Sequence, residues 1–163
     1  MYRLSNSAFN RTLNLRKNID SDRLSIINSS YKNSIFSHET ALYLNDFPIN
    51  SGKIIHLTLC GNSIIDENSK YLIDYINMID INYCMTEHFR IGVIVSGNFN
   101  DKIYYYDVER SICDILIRDN FSIITSLLLV NSYEKYQFKN PERLLTYARN
   151  FGIADKVNKI FKW

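Results

Sequence analysis

Tyr106-Asp107-Val108-Glu109-Arg110-Ser111-Ile112-Cys113-Asp114-Ile115-Leu116 is the stretch from which the fold can be read. Asp107 is an N-cap residue type, able to hold a first-turn amide through its carboxylate. Val108, Ile112, Ile115 and Leu116 then recur at helical spacing and predict an inward face running to about Arg118. Arg110 and Asp114 lie at i, i+4 and can pair along that helix.

Upstream of Asp107, His88 to Val95 and Lys102 to Tyr106 read as two strands. The turn chemistry of Ser96-Gly97-Asn98-Phe99-Asn100-Asp101 joins them into a hairpin. Lys53 to Cys60 is a further strand by its β-branched content and alternation. Glu67 to Met78 carries a helical stripe of Tyr71, Leu72, Tyr75, Ile76 and Ile79, and a strand near 81–86 stays an open alternative. Ser37 to Leu44 predicts a helix with Ser37 as N-cap and Glu39 against the positive helix end, stopping before Phe47-Pro48.

Downstream, Phe121 to Tyr136 predicts a helix. Pro141 opens another over Glu142 to Asn150, Gly152 closes it, and Ala154 to Phe161 forms the last. Residues 1–30 read as a basic N-terminal arm with one short helix near 20–29, and 31–163 as one domain. The expected class is α/β (α+β): a small mixed or antiparallel sheet flanked by helices, with a helical C-terminal third.

The chain has 163 residues, 46% of them hydrophobic, enough for one packed domain. Its net charge of +2 is unevenly spread. Residues 1–36 carry six Lys/Arg and two Asp, 37–131 six Lys/Arg and twelve Asp/Glu, and 132–163 seven Lys/Arg and three Asp/Glu. Basic ends around an acidic middle suit a nucleic acid at the ends or a basic partner at the middle, and equally an ordinary solvated surface. On the nucleic-acid reading the candidate contacts are Arg11, Arg16, Lys17, Lys139, Arg143 and Arg149. The aromatics interleaved with the C-terminal cations fall at helical spacing and fit core packing better. Cys60, Cys84 and Cys113 sit in apolar contexts without CxxC spacing, which predicts buried thiols in a reducing cytoplasm. The N-terminus lacks the apolar core of a signal peptide, and the longest apolar run, Ile123 to Val130, is far short of a membrane span. A cytoplasmic, soluble protein is expected.

No constellation of catalytic residues emerges. Ser37-His38-Glu39 has the residue types of a hydrolytic triad, but neighbours on a helix point about 100° apart and do not chain their hydrogen bonds. Helix capping explains them better. His38, His56 and His88 are too scattered for a metal site, with His56 read as a half-buried strand residue. Asp107, Glu109, Asp114 and Asp119 have the chemistry to hold Mg²⁺, yet helix-start carboxylates and pairing with Arg110 or Arg118 explain them. There is no Gly-rich phosphate loop. No catalytic residue, metal or cofactor is expected.

Ser37 to Leu44 and Tyr106 to Leu116, in this order and some seventy residues apart, resemble the C-terminal domain of the bacterial abortive-infection type IV antitoxins, the AbiEi family. The resemblance spans roughly 31–160. The hairpin before Asp107 and Leu144-Leu145-Thr146-Tyr147-Ala148 support it more weakly. It implies a non-enzymatic antitoxin of a phage-defence toxin–antitoxin system, whose functional partner is a nucleotidyltransferase toxin. Type IV systems need not form a stable complex. Ser37, His38 and Glu39 match the first motif and Glu109, Arg110 and Asp114 the second; the resemblance implies that these six form either the functional surface or scaffold. Many members also repress their own operon through an N-terminal winged helix. Here 36 residues precede Ser37, without a helix-turn-helix pattern, so DNA binding is left to the basic ends.

Overall fold

The computed structural model describes residues 21–31, 33–49, 53–61, 78–97, 102–118 and 123–163. Twelve elements follow in chain order: α1 (Ser21–Ser30), β1 (Ile35–Phe36), α2 (His38–Leu44), β2 (Ile55–Cys60), β3 (Ile79–Cys84), α3 (Thr86–Phe89), β4 (Val93–Ser96), β5 (Ile103–Tyr106), α4 (Val108–Ile117), α5 (Ile123–Lys135), α6 (Pro141–Asn150) and α7 (Ala154–Phe161). The five strands form one mixed sheet in the order β3-β2-β1-β5-β4. β1 is antiparallel to β2 and parallel to β5, β2 is parallel to β3, and β4 and β5 make the antiparallel hairpin. The chain therefore has an α/β fold with a mixed sheet and a helical C-terminal third.

The alternation of β2 sorts its side chains into two layers. Ile55 and Leu57 are buried in one apolar core with Ile35, Ile103, Tyr105 and the α1 residues Leu24 and Ile27. Ile79 and Ile81, their register partners on β3, pack against the same core. α1 thus belongs to the body of the fold, although the N-terminal arm was expected to extend to residue 30. His56, Thr58 and Cys60 point the other way, beside Asp80, Asn82 and Cys84, towards α2 and α4. A second core lies beyond α4, where Val108, Ile112, Ile115 and Leu116 meet Leu42 and Phe47, Leu129 and Tyr133 of α5, Leu144 and Ala148 of α6, and Val157 and Phe161 of α7. At about 1.5–3 kcal/mol for each fully buried large apolar side chain, this core is the main force fixing the C-terminal helices.

Several expectations are corrected. His88 to Val95 is not one strand: Thr86–Phe89 is a short helix and the strand begins only at Val93, because Gly92 turns the chain with φ +76°. The open alternative near 81–86 is realised as β3, two residues earlier. Ser37 is the N-cap by position but makes no side-chain capping bond; its hydroxyl pairs instead with His38 Nδ1 at 2.9 Å. Asp107 does cap, accepting from Arg110 N at 2.8 Å. Asn140, not singled out in the sequence, caps α6 by accepting from Arg143 N at 3.0 Å. Gly152 follows α6 with φ +70°, the left-handed backbone a helix end favours. The helix expected over Glu67 to Met78 falls on residues outside those described, up to Met78 itself. So do residues 1–20 and Asp119.

Candidate functional site

α2 packs on the polar face of β2, and α4 packs in turn on α2. On α4, Arg110, Asp114 and Arg118 recur every four residues, so they share one face of that helix. Arg110 reaches Cys84 of β3, Asp114 holds Arg110, and Arg118 reaches Glu39 of α2, producing a buried polar seam between two apolar cores.

Arg110 anchors one end. Its side chain is buried, donates from Nε to Asp114 Oδ1 at 3.0 Å, and donates to the His88 carbonyl at 2.9 Å and to Cys84 Sγ at 3.5 Å. The guanidinium carbon is 4.5 Å from the Tyr106 ring centroid and 4.1 Å from that of Phe151. A cation held by acceptors and lying over two aromatic rings has part of its desolvation offset. The Tyr106 hydroxyl donates to the Phe89 carbonyl at 2.9 Å, which fixes one wall. Gly92 makes the close approach possible: a Cβ there would stand 2.7 Å from Arg110 Cβ. Asp114 has its second oxygen buried with no hydrogen-bond partner among the described residues. Burial pushes its carboxyl up to about 6, against the opposing pull of Arg110.

The other end gathers the start of α2. Glu39 Oε1 accepts a short bond from Arg118, while Oε2 stands 3.2 Å from His56 Nε2 without a directed hydrogen bond. The opposite ring nitrogen of His56, Nδ1, pairs with Asp80 Oδ2 at 3.0 Å. His56 is therefore buried, not half-buried as its strand position suggested. Its backbone amide donates to the Thr40 hydroxyl at 2.9 Å, and its carbonyl accepts from Ser37 N at 3.0 Å. The His38 ring lies 5.5 Å from that of His56. Burial first, then the charges of Arg118, His56 and Arg110, pull His38 down to about 2, so it is a neutral imidazole. His38 also opens its helix at φ +49°, a conformation that costs a non-glycine residue about 1–3 kcal/mol. Ser37 and His38 are both buried. No triad results, because Glu39 turns to His56 and Arg118 and leaves His38 to Ser37.

Asp107 and Glu109 face a third direction, towards α6. Asp107 Oδ2 accepts from the Tyr147 hydroxyl at 3.0 Å. Glu109 Oε1 accepts from Asn140 N at 2.8 Å and from the Tyr133 hydroxyl at 3.2 Å. Arg143 NH1 stands 3.6 Å from Asp107 and 3.7 Å from Glu109. Burial raises both carboxyls above the usual range, against these bonds. Asp107 and Glu109 thus diverge from Asp114, and each is engaged with protein partners. Among the described residues no group of His, Cys, Asp or Glu is arranged to hold a metal ion.

The six family-motif residues are accordingly brought near one helix, but five of them, Ser37, His38, Glu109, Arg110 and Asp114, are buried, and Glu39 is mostly so. Sequence reasoning singled out Arg110 with Asp114 from their spacing and noted Arg118 as a partner for the acids. It missed Asp80, Cys84, Gly92, Tyr147 and Phe151, whose roles depend on strand pairing and helix packing. Of the basic candidates, three lie among the described residues. Arg143 is held by Asp107 and Glu109, Lys139 bonds Glu134 at 2.9 Å, and Arg149 is exposed on α6. Arg11, Arg16 and Lys17 lie outside the described residues. Among the described residues no helix is long and apolar enough to cross a membrane. The chain matches no established protein family. No curated protein matches it either.

Proposed function

We propose that the chain is an antitoxin-like domain of the AbiEi type, which counteracts a nucleotidyltransferase toxin without being an enzyme itself. One observation carries this reading. The two segments that resemble the family, separated by some seventy residues, pack together: Leu42 of the first shares a core with Val108, Ile112 and Leu116 of the second, and Glu39 bonds Arg118 just beyond it. Residues whose resemblance is to one domain are here parts of one structural unit. The described acids that a magnesium-dependent phosphoryl enzyme would use, Asp107, Glu109 and Asp114, are engaged as a helix cap, an inter-helix tie and an Arg110 partner. That engagement favours a binding or antagonist role over catalysis.

The test is growth of cells expressing the gene that neighbours this chain's own, with and without the chain. Restored growth supports the proposal. Absence of rescue, with the protein folded and the neighbour toxic alone, overturns it and moves the function to a regulator contacting DNA. That rival predicts DNA affinity falling steeply with salt, because each phosphate contact releases counterions.

A further inference from the structure

We propose that Cys60 and Cys84 form a reversible intramolecular disulfide, making the end of the β2–β3 ladder a redox modification site. The two residues are direct register partners on adjacent parallel strands, and they are the last pair of that ladder. Neighbours in register lie on the same face of a sheet. Adjacent strands are about 4.7–4.9 Å apart, within the roughly 4.4–6.8 Å range of Cα separations that a disulfide spans. Gly61 N donates to the Cys84 carbonyl at 2.9 Å, which keeps the strand ends side by side. Both thiols are partly exposed, contrary to the buried state the sequence suggested, whereas Cys113 is fully buried on α4. A small oxidant therefore reaches the pair and not the third thiol.

Cys84 makes the first attack, with Arg110 opposing part of the cost that burial places on its thiolate. Arg110 NH2 donates to its sulfur at 3.5 Å, so a permanent cation faces the atom that must carry negative charge. Cys60 Sγ is 3.3 Å from the Thr86 hydroxyl on α3. Burial raises the Cys84 thiol above its ordinary value while Arg110 pulls it down, so the reaction accelerates with rising pH. With hydrogen peroxide as oxidant, the Cys84 thiolate attacks one oxygen and the O–O bond breaks. The other oxygen leaves as hydroxide, takes a proton to become water, and Cys84 becomes a sulfenic acid. The Cys60 sulfur then attacks Cys84 Sγ; the S–S bond forms, the S–O bond breaks and a second water departs with the Cys60 proton. Two thiols lose two electrons in all, and one peroxide gains them.

Side chains directly opposite on parallel strands must draw their Cβ atoms in from the strand spacing to about 3.8 Å, which strains the bond and makes it easy to reduce. Reversibility follows from that strain. Oxidation also replaces the thiol that Arg110 faces, so the redox state of the ladder end is transmitted to the seam.

The experiment treats the full chain with hydrogen peroxide, blocks remaining thiols and maps peptides by mass under non-reducing conditions. The expected result is one linked pair containing Cys60 and Cys84, lighter by two hydrogens, with Cys113 blocked as a thiol and the link abolished by dithiothreitol. C113S retains the link, while C60S and C84S each lose it. Oxidation that stops at separate sulfenic or sulfinic acids, or links only between molecules, overturns the proposal. The wild-type map alone decides the matter, so a variant that fails to fold does not obscure the result.

Discussion

Glu39 and Arg118 tie the first turn of α2 to the C-terminal end of α4 across 79 residues of sequence. The bond closes one end of the polar seam and holds the Glu39 carboxylate against His56. Both side chains keep partial solvent access, so the pair is not a deeply buried one. R118M is expected to lower stability by about 1 kcal/mol, the upper end for exposed pairs. A double-mutant cycle with E39Q, read by urea unfolding, should return a coupling energy of that size. Additive effects would show that the two residues act independently.

Arg110 is expected to tolerate no cationic replacement. Lysine keeps the charge but not the fork that reaches Asp114, the His88 carbonyl and Cys84 together, nor the plane stacked between Tyr106 and Phe151. R110K should cost about 2–3 kcal/mol. R110M should cost about 3–5 kcal/mol, since it leaves Asp114 buried without its ion partner. R110M combined with D114L should recover much of that loss, because it removes both charges. Chemical denaturation of the three variants orders them.

Gly92 is predicted to be replaceable only at a high cost. G92A meets two penalties: a φ of +76° unsuited to alanine and a Cβ placed 2.7 Å from Arg110 Cβ. The combined loss should be about 2 kcal/mol or more. Near-ultraviolet circular dichroism should report the change as well, through Tyr106 and Phe151 beside the displaced guanidinium.

Two buried groups set opposing pH dependences. His38 has its folded value pulled to about 2, below an unfolded value near 6.5, so below about pH 6.5 the unfolded chain binds a proton that the folded chain refuses. Stability from this group falls on acidification, by up to about 1.4 kcal/mol per pH unit. Asp114 has its folded value raised to about 6, so between about pH 6 and 4 the folded chain binds the extra proton and acidification favours folding. Wild type should therefore lose stability first, from about pH 6.5 to 6, and then change little down to about pH 4 as far as these two groups decide it. H38N should gain stability over that lower window relative to its own value at pH 7. Parallel wild-type and H38N curves in urea titrations from pH 7 to 4 would rule out this assignment.

The sequence reveals those parts of the fold whose signals are local. Asp107 caps α4, Pro141 begins α6, Gly152 ends it, and α7 has the bounds its apolar spacing predicts. β1 escapes because two residues carry no period. Thr86–Phe89 escapes because one turn of helix is too short to override the alternation around it. In the site, Arg110 with Asp114 follows from i, i+4 spacing alone. His56 with Asp80 does not, since their meeting depends on the parallel register of β2 and β3, and no local pattern encodes which strands become neighbours. The polar character of that sheet face is visible in His56, Thr58, Asp80 and Asn82, but the burial of His56 is decided by α2 packing on it.

The two-residue strand β1 has a consequence for the order of assembly. β4 and β5 are a hairpin with a short connection, and β2 and β3 are consecutive in the chain, so each half of the sheet forms from nearby residues. Only β1 joins the halves, and its Phe36 waits for Tyr105, 69 positions later. Closing that loop costs chain entropy before any contact rewards it. The weld between the halves is thus the late event of folding, and a ribosome-bound chain ending before Ile103 lacks the partner that completes it.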